Sequence, residues 1–275
     1  MHTASNHRTP SGENLVIIAA PGQEQRAERL SRQLAVPVHR SPPAGAALAL
    51  EVTAAGLQLR DLRRGPSGPP GPVRVDLLGG GRERLLRAGG NSELLGRAVG
   101  ARRGRRPWVV DATAGLGGDA ALLAALGCRV TMLERAGVVA ALLRDGLERA
   151  AAAVAAETGG TGGSRDGALL GRLQLLETDA VPWLGSLDEA GRPDVVYLDP
   201  MYPDTGRSAL ARKEMQVLQQ LLGHDETPPA LFAAARKAAR QRVVVKRPRK
   251  APALDGALPS HVISGRSTRF DVYLT

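Results

Sequence analysis

From Trp108 onward the chain repeats one rhythm: a short apolar run ending at a polar residue, a turn, then a helical stretch. The apolar runs are WVVDA, RVTMLE, LQLLE and VVYLD, with helical patterns over 119–126, 136–150 and 207–222 and a loop after LQLLE. Neighbouring parallel strands need a crossover long enough to hold a helix, so this alternation predicts an α/β fold with a mostly parallel, doubly wound, Rossmann-like sheet. A further helix over 229–240 and the runs RVVVK and FDVYLT supply late strands at the sheet edge.

Upstream the pattern differs. Residues 1–13 are polar and read as a tail. LVIIAAPG, a helical stretch Gln23–Leu34, then ALALEV, LQLRD and VRVDLL predict strand, helix and three short strands, with RRGPSGPPGP as a loop between the last two. Residues 14–100 therefore read as a small N-terminal α/β module with its linker, and 101–275 as the main domain. ARRGRRP reads as a solvated link, and the glycine-rich end of AAAVAAETGGTGGSRDG as a mobile loop.

Aromatics make up only 3% of the 275 residues, so the core must be built from Ala, Val and Leu. The formal charge of +10 suits a polyanion such as nucleic acid, although an Arg, Ala and Gly excess is also what a GC-rich genome gives any protein. The single cysteine, Cys128, leaves no internal disulfide, and the absence of a Cys/His cluster removes the usual zinc patterns. A reducing, cytoplasmic setting fits. LVIIAAP lies behind Glu13 without a basic leader, and no stretch approaches the roughly 20 apolar residues of a membrane span, so a soluble protein is expected.

Four strand ends carry the chemistry. In VVDATAGLGGDA the glycines let backbone pass close to a ligand, and the helix that follows offers unpaired N–H groups to an anion. Read as GxGxxA it also suits a dinucleotide. Asp111, however, precedes Gly115 and Gly117, an order that resembles the D-x-x-x-G-x-G motif of class I S-adenosylmethionine (SAM) methyltransferases. In RVTMLER, Glu134 lies 17 residues after Gly117, a spacing that suits acceptance from two ribose hydroxyls; a solvated strand end is the plainer alternative. In LLETDAV, Asp179 stands where the methyltransferase fold places an acid for the adenine amine, or else it caps a turn.

The fourth is DPMYP, which resembles the [DNS]-P-P-[YFW] motif of methyltransferases that modify an exocyclic amine. Such an amine is conjugated with its ring and weakly nucleophilic, so a site must accept its hydrogens and stack the ring. Asp199 and the Pro200 carbonyl suit the first task and Tyr202 the second; Met201 stands where a second proline is common. Lys213, Lys246, Arg247 and Arg249 lie nearby in sequence and are candidates for RNA phosphate, a solvated charged face being the alternative.

Together, DATAGLGGDA, GCRVTMLER, VVYLDPMYP, SALARKEM, RVVVKRP and RFDVYL resemble, in order and spacing, the RsmJ family of 16S rRNA guanine-N2 methyltransferases over residues 75–275. The resemblance implies a class I methyltransferase fold, SAM as cofactor, and 16S rRNA or the small ribosomal subunit as partner. It implies cofactor contacts at Gly118, Asp119, Glu134, Arg135, Asp179, Ala180 and Asp199. The family commonly has Arg at the position of Gly118 and small hydroxyl residues at those of Asp179 and Ala180. A nicotinamide-dependent oxidoreductase would use the same glycines and leave DPMYP unexplained. A non-catalytic RNA-binding protein would need none of the strand-end acids. Among methyltransferases, a DNA or protein amine is the other target.

Overall fold

The computed structural model describes residues 15–63, 71–78, 90–102, 104–158, 165–200, 216–219, 221–222, 229–252 and 254–275. The N-terminal part forms a four-stranded sheet from β1 (Leu15–Ala19), β2 (Val38–His39), β3 (Leu48–Thr53) and β4 (Gly56–Asp61), in the order β2-β1-β3-β4. Helix α1 (Glu24–Leu34) crosses from β1 to the parallel β2, while β3 and β4 pair antiparallel.

VRVDLL does not form the predicted strand. Val73, Val75 and Leu77 alternate inward, but only Val73 pairs, exchanging both backbone hydrogen bonds with Leu59. Two residues on, the Val75 carbonyl accepts from the Arg149 guanidinium at 2.6 Å, so a side chain takes the place of a ladder partner.

The larger sheet contains β5 (Trp108–Asp111), β6 (Arg129–Glu134), β7 (Leu173–Glu177), β8 (Val195–Leu198), β9 (Arg242–Pro248), β10 (His261–Ser264) and β11 (Thr268–Leu274). Its order is β10-β11-β9-β8-β5-β6-β7; the pairs among β5 to β9 are parallel, and β11 is antiparallel to both neighbours. Inserting an antiparallel strand before the edge departs from the 3-2-1-4-5-6 order of dinucleotide-binding sheets. The strands are apolar at nearly every position because both faces are covered. Val109, Val195, Tyr197 and Val244 face one core; Val110, Val196, Leu198, Val243 and Val245 face the other.

On the first face lie α2 (Gly90–Val99), α3 (Gly118–Ala125), α4 (Gly137–Thr158) and α5 (Arg165–Leu170); on the second lie α6 (Ala180–Gly185) and α7 (Pro229–Ala238). Helix α4 outruns its expected end by a run rich in alanine, the strongest helix former. Residues 159–164, the expected glycine-rich loop, and 201–215, the start of the expected 207–222 helix, lie outside the described residues; 216–219 and 221–222 are helical. Short elements the periodicity did not announce are β2, β10, α5 and α6.

The N-terminal sheet shares its core with the main domain, since Leu15, Ile17, Leu50 and Leu59 join one cluster with Val139, Leu142 and Leu143 of α4. Asp145 is 3% exposed there and accepts from Arg26 at 2.6 Å and from Arg149 at 2.7 Å, so α1 and α4 are tied by charge as well as by packing. Among the described residues no helix is long and apolar enough to cross a membrane.

Candidate active site

Strand order reverses between β5 and β8, and in open α/β sheets ligands bind beyond the carboxyl ends of the strands at such a point. At that edge stand Asp111 at the end of β5, Glu134 at the end of β6, Asp179 just past β7, Asp199 just past β8 and Lys246 near the end of β9. Backbone bonds stitch the loops together. Ala112 N–H donates to the Tyr197 carbonyl, Ala114 N–H to that of Leu133 and Thr178 N–H to that of Glu134.

The glycine turn is shaped as the sequence predicts. Gly115 and Gly117 have φ of 53° and 75°, a left-handed conformation costly for any residue with a Cβ. A Cβ on Gly117 would also stand 2.7 Å from Leu143 Cδ1. Gly118 opens α3 without such strain, and among the described residues a Cβ there would meet nothing within 4 Å. Among the described residues open space therefore borders the turn, and none of them imposes a steric demand that the departure from arginine at Gly118 would answer.

Glu134 is buried and braces this turn: Oε2 accepts from Gly115 N–H at 3.0 Å, and Oε1 from Ala136 N–H at 2.8 Å. Burial pushes its carboxyl up from the usual range, and those two backbone donors offset part of the rise. A carboxylate has about four lone-pair sites, so ligand hydroxyls are still accommodated. Asp179 caps α6, with Oδ1 accepting from Val181 N–H at 2.8 Å. Ala180 is buried behind it, and Arg135 is exposed.

On the other side of the switch point four side chains form one network. Lys246 Nζ donates to Asp119 Oδ2 at 2.6 Å and to Asp199 Oδ2 at 2.8 Å. The Tyr197 hydroxyl donates to the same oxygen of Asp119 at 2.5 Å, and Asp199 N–H donates to Thr113 Oγ1 at 2.7 Å. Register explains the convergence. Asp111 pairs with Tyr197, and Leu198 with Val245, so the next step sets Asp199 beside Lys246 on the same face.

Burial, joined by the nearby Asp119 and Asp199 charges, pushes the Asp111 carboxyl up to about 8 against the lowering effects of Thr113 N–H and Lys246. Tyr197 is fully buried, which together with the neighbouring carboxylates drives its phenol well above the ordinary value. Desolvation lowers Lys246, but Asp119 and Asp199 outweigh it and its ammonium is held above the usual pKa.

Of the cations expected at RNA phosphate, Lys246 thus turns into the site, where two carboxylates hold it. Arg247 points to the opposite face and is 3% exposed, so it presents no solvated charge; Arg249 is exposed. Pro200 is buried, while Met201, Tyr202 and Lys213 lie outside the described residues. Thr113 and Tyr197 are network residues that the sequence did not reveal, and for Lys246 it did not reveal the two carboxylate partners. A tyrosine inside an otherwise aliphatic strand is the one available signal, because a buried hydroxyl needs a partner.

A glycine turn with free space beside it, flanked by carboxylates, fits a ligand that brings a ribose, an ammonium and a sulfonium. Fold and site together define a class I SAM-dependent methyltransferase. The family model described as "Putative SAM-dependent methyltransferase" matches residues 31–275. Ribosomal RNA small subunit methyltransferase J of Thioalkalivibrio sulfidiphilus is 48% identical over 261 residues, covering 94% of this chain and 96% of that protein. Its namesake in Pseudomonas fluorescens Pf-5 is 44% identical over 255 residues, covering 92% and 90%. A crystal structure of a SAM-dependent methyltransferase from Neisseria gonorrhoeae superposes with a TM-score of 0.71 at 33% identity, covering 94% of this chain and 95% of that one. The chain belongs to the ribosomal RNA small subunit methyltransferase J family.

Proposed function

We propose that this enzyme methylates the exocyclic N2 amine of a guanine near the 3′ end of 16S rRNA, in free RNA or in the small subunit, in the cytoplasm. The observation that carries the reading is the fixed position of Asp199, held through its backbone by Thr113 and through its carboxylate by Lys246, and followed by a buried proline. The names of the relatives at 44–48% identity supply the RNA class.

The residues that would hold SAM are Asp111, Gly115, Gly117, Gly118 and Asp119, with Glu134, Arg135, Asp179 and Ala180 along the same strand edge. The cofactor supplies an electrophilic methyl on its sulfonium. Asp199 and the Pro200 carbonyl accept the two amine hydrogens and so turn the nitrogen lone pair outward; Tyr202 stacks the base, which leaves its helix to enter the site. No covalent enzyme intermediate is needed. The amine proton leaves after the nitrogen becomes cationic, so Asp199 need not act as a strong base.

Purified enzyme, SAM and unmethylated small-subunit RNA test this directly, with mass spectrometry locating the product. Methylation at a guanine N2 is expected, and Asp199→Ala should lower turnover by about 10² or more. A methyl found on another atom, or near-normal turnover in Asp199→Ala, would overturn the assignment.

A further inference from the structure

The two edges of the large sheet differ in how their charges are balanced. At the carboxyl edge the carboxylates of Glu134, Asp179, Asp199 and Asp119 share the site with Lys246, and Arg135 and Arg249 stand at the same edge, so acids and bases there offset one another. An edge whose charges offset one another draws a polyanion only weakly, so much of the attraction that a +10 protein offers must come from elsewhere.

The amino edge carries arginines. Arg102, Arg105 and Arg106 precede β5; Arg129 opens β6; Arg172 precedes β7; Arg242 opens β9. Inter-strand spacing makes the row from β7 to β9 roughly 19 Å long, enough for several phosphates. The partners these side chains have in the fold are neutral. Arg105 donates to the Gln241 side chain, Arg106 to the Arg102 and Arg105 carbonyls, and Arg242 to the Ala98 carbonyl at 3.3 Å. The Arg129 guanidinium lies 4.8 Å from the Trp108 ring centroid. Among the described residues no carboxylate forms a salt bridge with any of the six.

Asp194, an acid at this edge, is committed elsewhere: it accepts from Trp108 N–H at 2.9 Å and from the Gln241 amide at 2.6 Å. The arginines are close enough to act on one another. Burial lowers the Arg242 pKa, and the charges of Arg105 and Arg102 lower it further. Burial raises the Cys128 thiol to about 11, and Arg106 and Arg172 both pull it back down. Like charges gathered without a counter-charge repel, and a polyanion relieves that repulsion while releasing its condensed cations.

We propose that this amino-edge arginine row binds phosphates of the substrate RNA, at a segment remote from the nucleotide that enters the active site. The proposal rests on the reading of RNA as substrate. It gives ARRGRRP a task beyond linking two modules, and it assigns the neighbouring Arg129, stacked on Trp108, to the same contact.

The test replaces three of the four exposed members together, Arg102→Gln, Arg105→Gln and Arg129→Gln, and follows binding of small-subunit RNA across a salt series. Each lost phosphate contact flattens the log–log slope by about 0.7 to 0.9, so the triple variant should lose roughly 2 units of slope and about tenfold or more in affinity at low salt. S-adenosylhomocysteine affinity and kcat at saturating RNA should stay within about twofold, since no site residue is touched. The matching Arg→Lys triple keeps the charge and should return the slope to near wild type. An unchanged slope in a Gln variant that still binds S-adenosylhomocysteine overturns this proposal alone. Wild-type protein that binds S-adenosylhomocysteine but not the RNA overturns the substrate reading and this proposal with it.

Discussion

Lys246 Nζ stands 2.8 Å from Asp199 Oδ2, and it reaches Asp119 Oδ2 at 2.6 Å in the same arrangement. The two carboxylates come from different sources, the first turn of α3 and the end of β8, so one ammonium joins the glycine-turn helix to the proposed amine-accepting loop. Each of the three side chains is about a quarter exposed, which makes this a partly desolvated ion pair and not a surface one.

Lys246→Met should therefore act on kcat. Losing the shared cation leaves two carboxylates facing each other and is expected to cost about 1 to 3 kcal/mol of stability, read from urea unfolding. Turnover should fall about 10- to 100-fold because Asp199 is no longer held, with a much smaller rise in KM for RNA. A phosphate-binding lysine would show the reverse split, a raised KM and a near-normal kcat.

What the sequence revealed of this site follows from what local pattern can carry. Strand-end acids are legible because each apolar run stops at Asp111, Glu134 or Asp199, and the glycine turn because Gly115 and Gly117 need conformations that other residues avoid. The carboxylate partners of Lys246 were not legible because they depend on which strand lies beside β9. The alternation in VVVKRP shows that Lys246 and Arg247 face opposite ways, but not that β8 is the neighbour or that Asp199 is level with Lys246. Thr113 and Tyr197 were hidden for the same reason, each acting across strands. VRVDLL shows the converse limit: its alternation reports burial of Val73, Val75 and Leu77 correctly, yet a ladder requires backbone partners, and Arg149 took one of them.

Adjacent glycines separate conformational need from space. Gly117→Ala forces a Cβ into a left-handed conformation and against Leu143, and should cost about 1 to 2 kcal/mol with weaker S-adenosylhomocysteine binding. Gly118→Ala meets neither obstacle and removes backbone freedom from the unfolded chain, so it should be neutral or stabilising by up to about 1 kcal/mol. Thermal melts of the two variants should shift in different directions, or the second not at all.

Asp145→Ala should loosen the N-terminal sheet from the rest. The carboxylate is nearly buried between Arg26 and Arg149, and removing it leaves two partly buried guanidinium groups facing each other. Loss of a buried ion-pair partner costs about 3 to 5 kcal/mol. Because the two sheets share one core, the loss should appear in the single global unfolding transition, together with faster proteolysis of the segment around Arg26. Global stability unchanged within about 0.5 kcal/mol would show the clamp to be dispensable.

Asp111 should give the fold a pH dependence opposite to that of an ordinary paired carboxylate. Burial pushes its carboxyl up to about 8 in the fold, against about 3.8 for an ordinary aspartate such as the unfolded chain presents. Between those limits the folded form holds a proton that the unfolded form has lost, so folding is linked to proton uptake. The contribution is fully present below about pH 4, declines by up to about 1.4 kcal/mol per pH unit as pH rises, and is gone above about pH 8. Asp111→Asn keeps the shape and one carbonyl acceptor for Thr113 N–H but cannot ionise. Urea unfolding of both proteins between pH 5 and pH 8.5 should therefore show wild type losing stability relative to the variant as pH rises. A difference that stays constant across that range would mean that Asp111 is ionised in the fold at neutral pH, with Lys246 outweighing its burial.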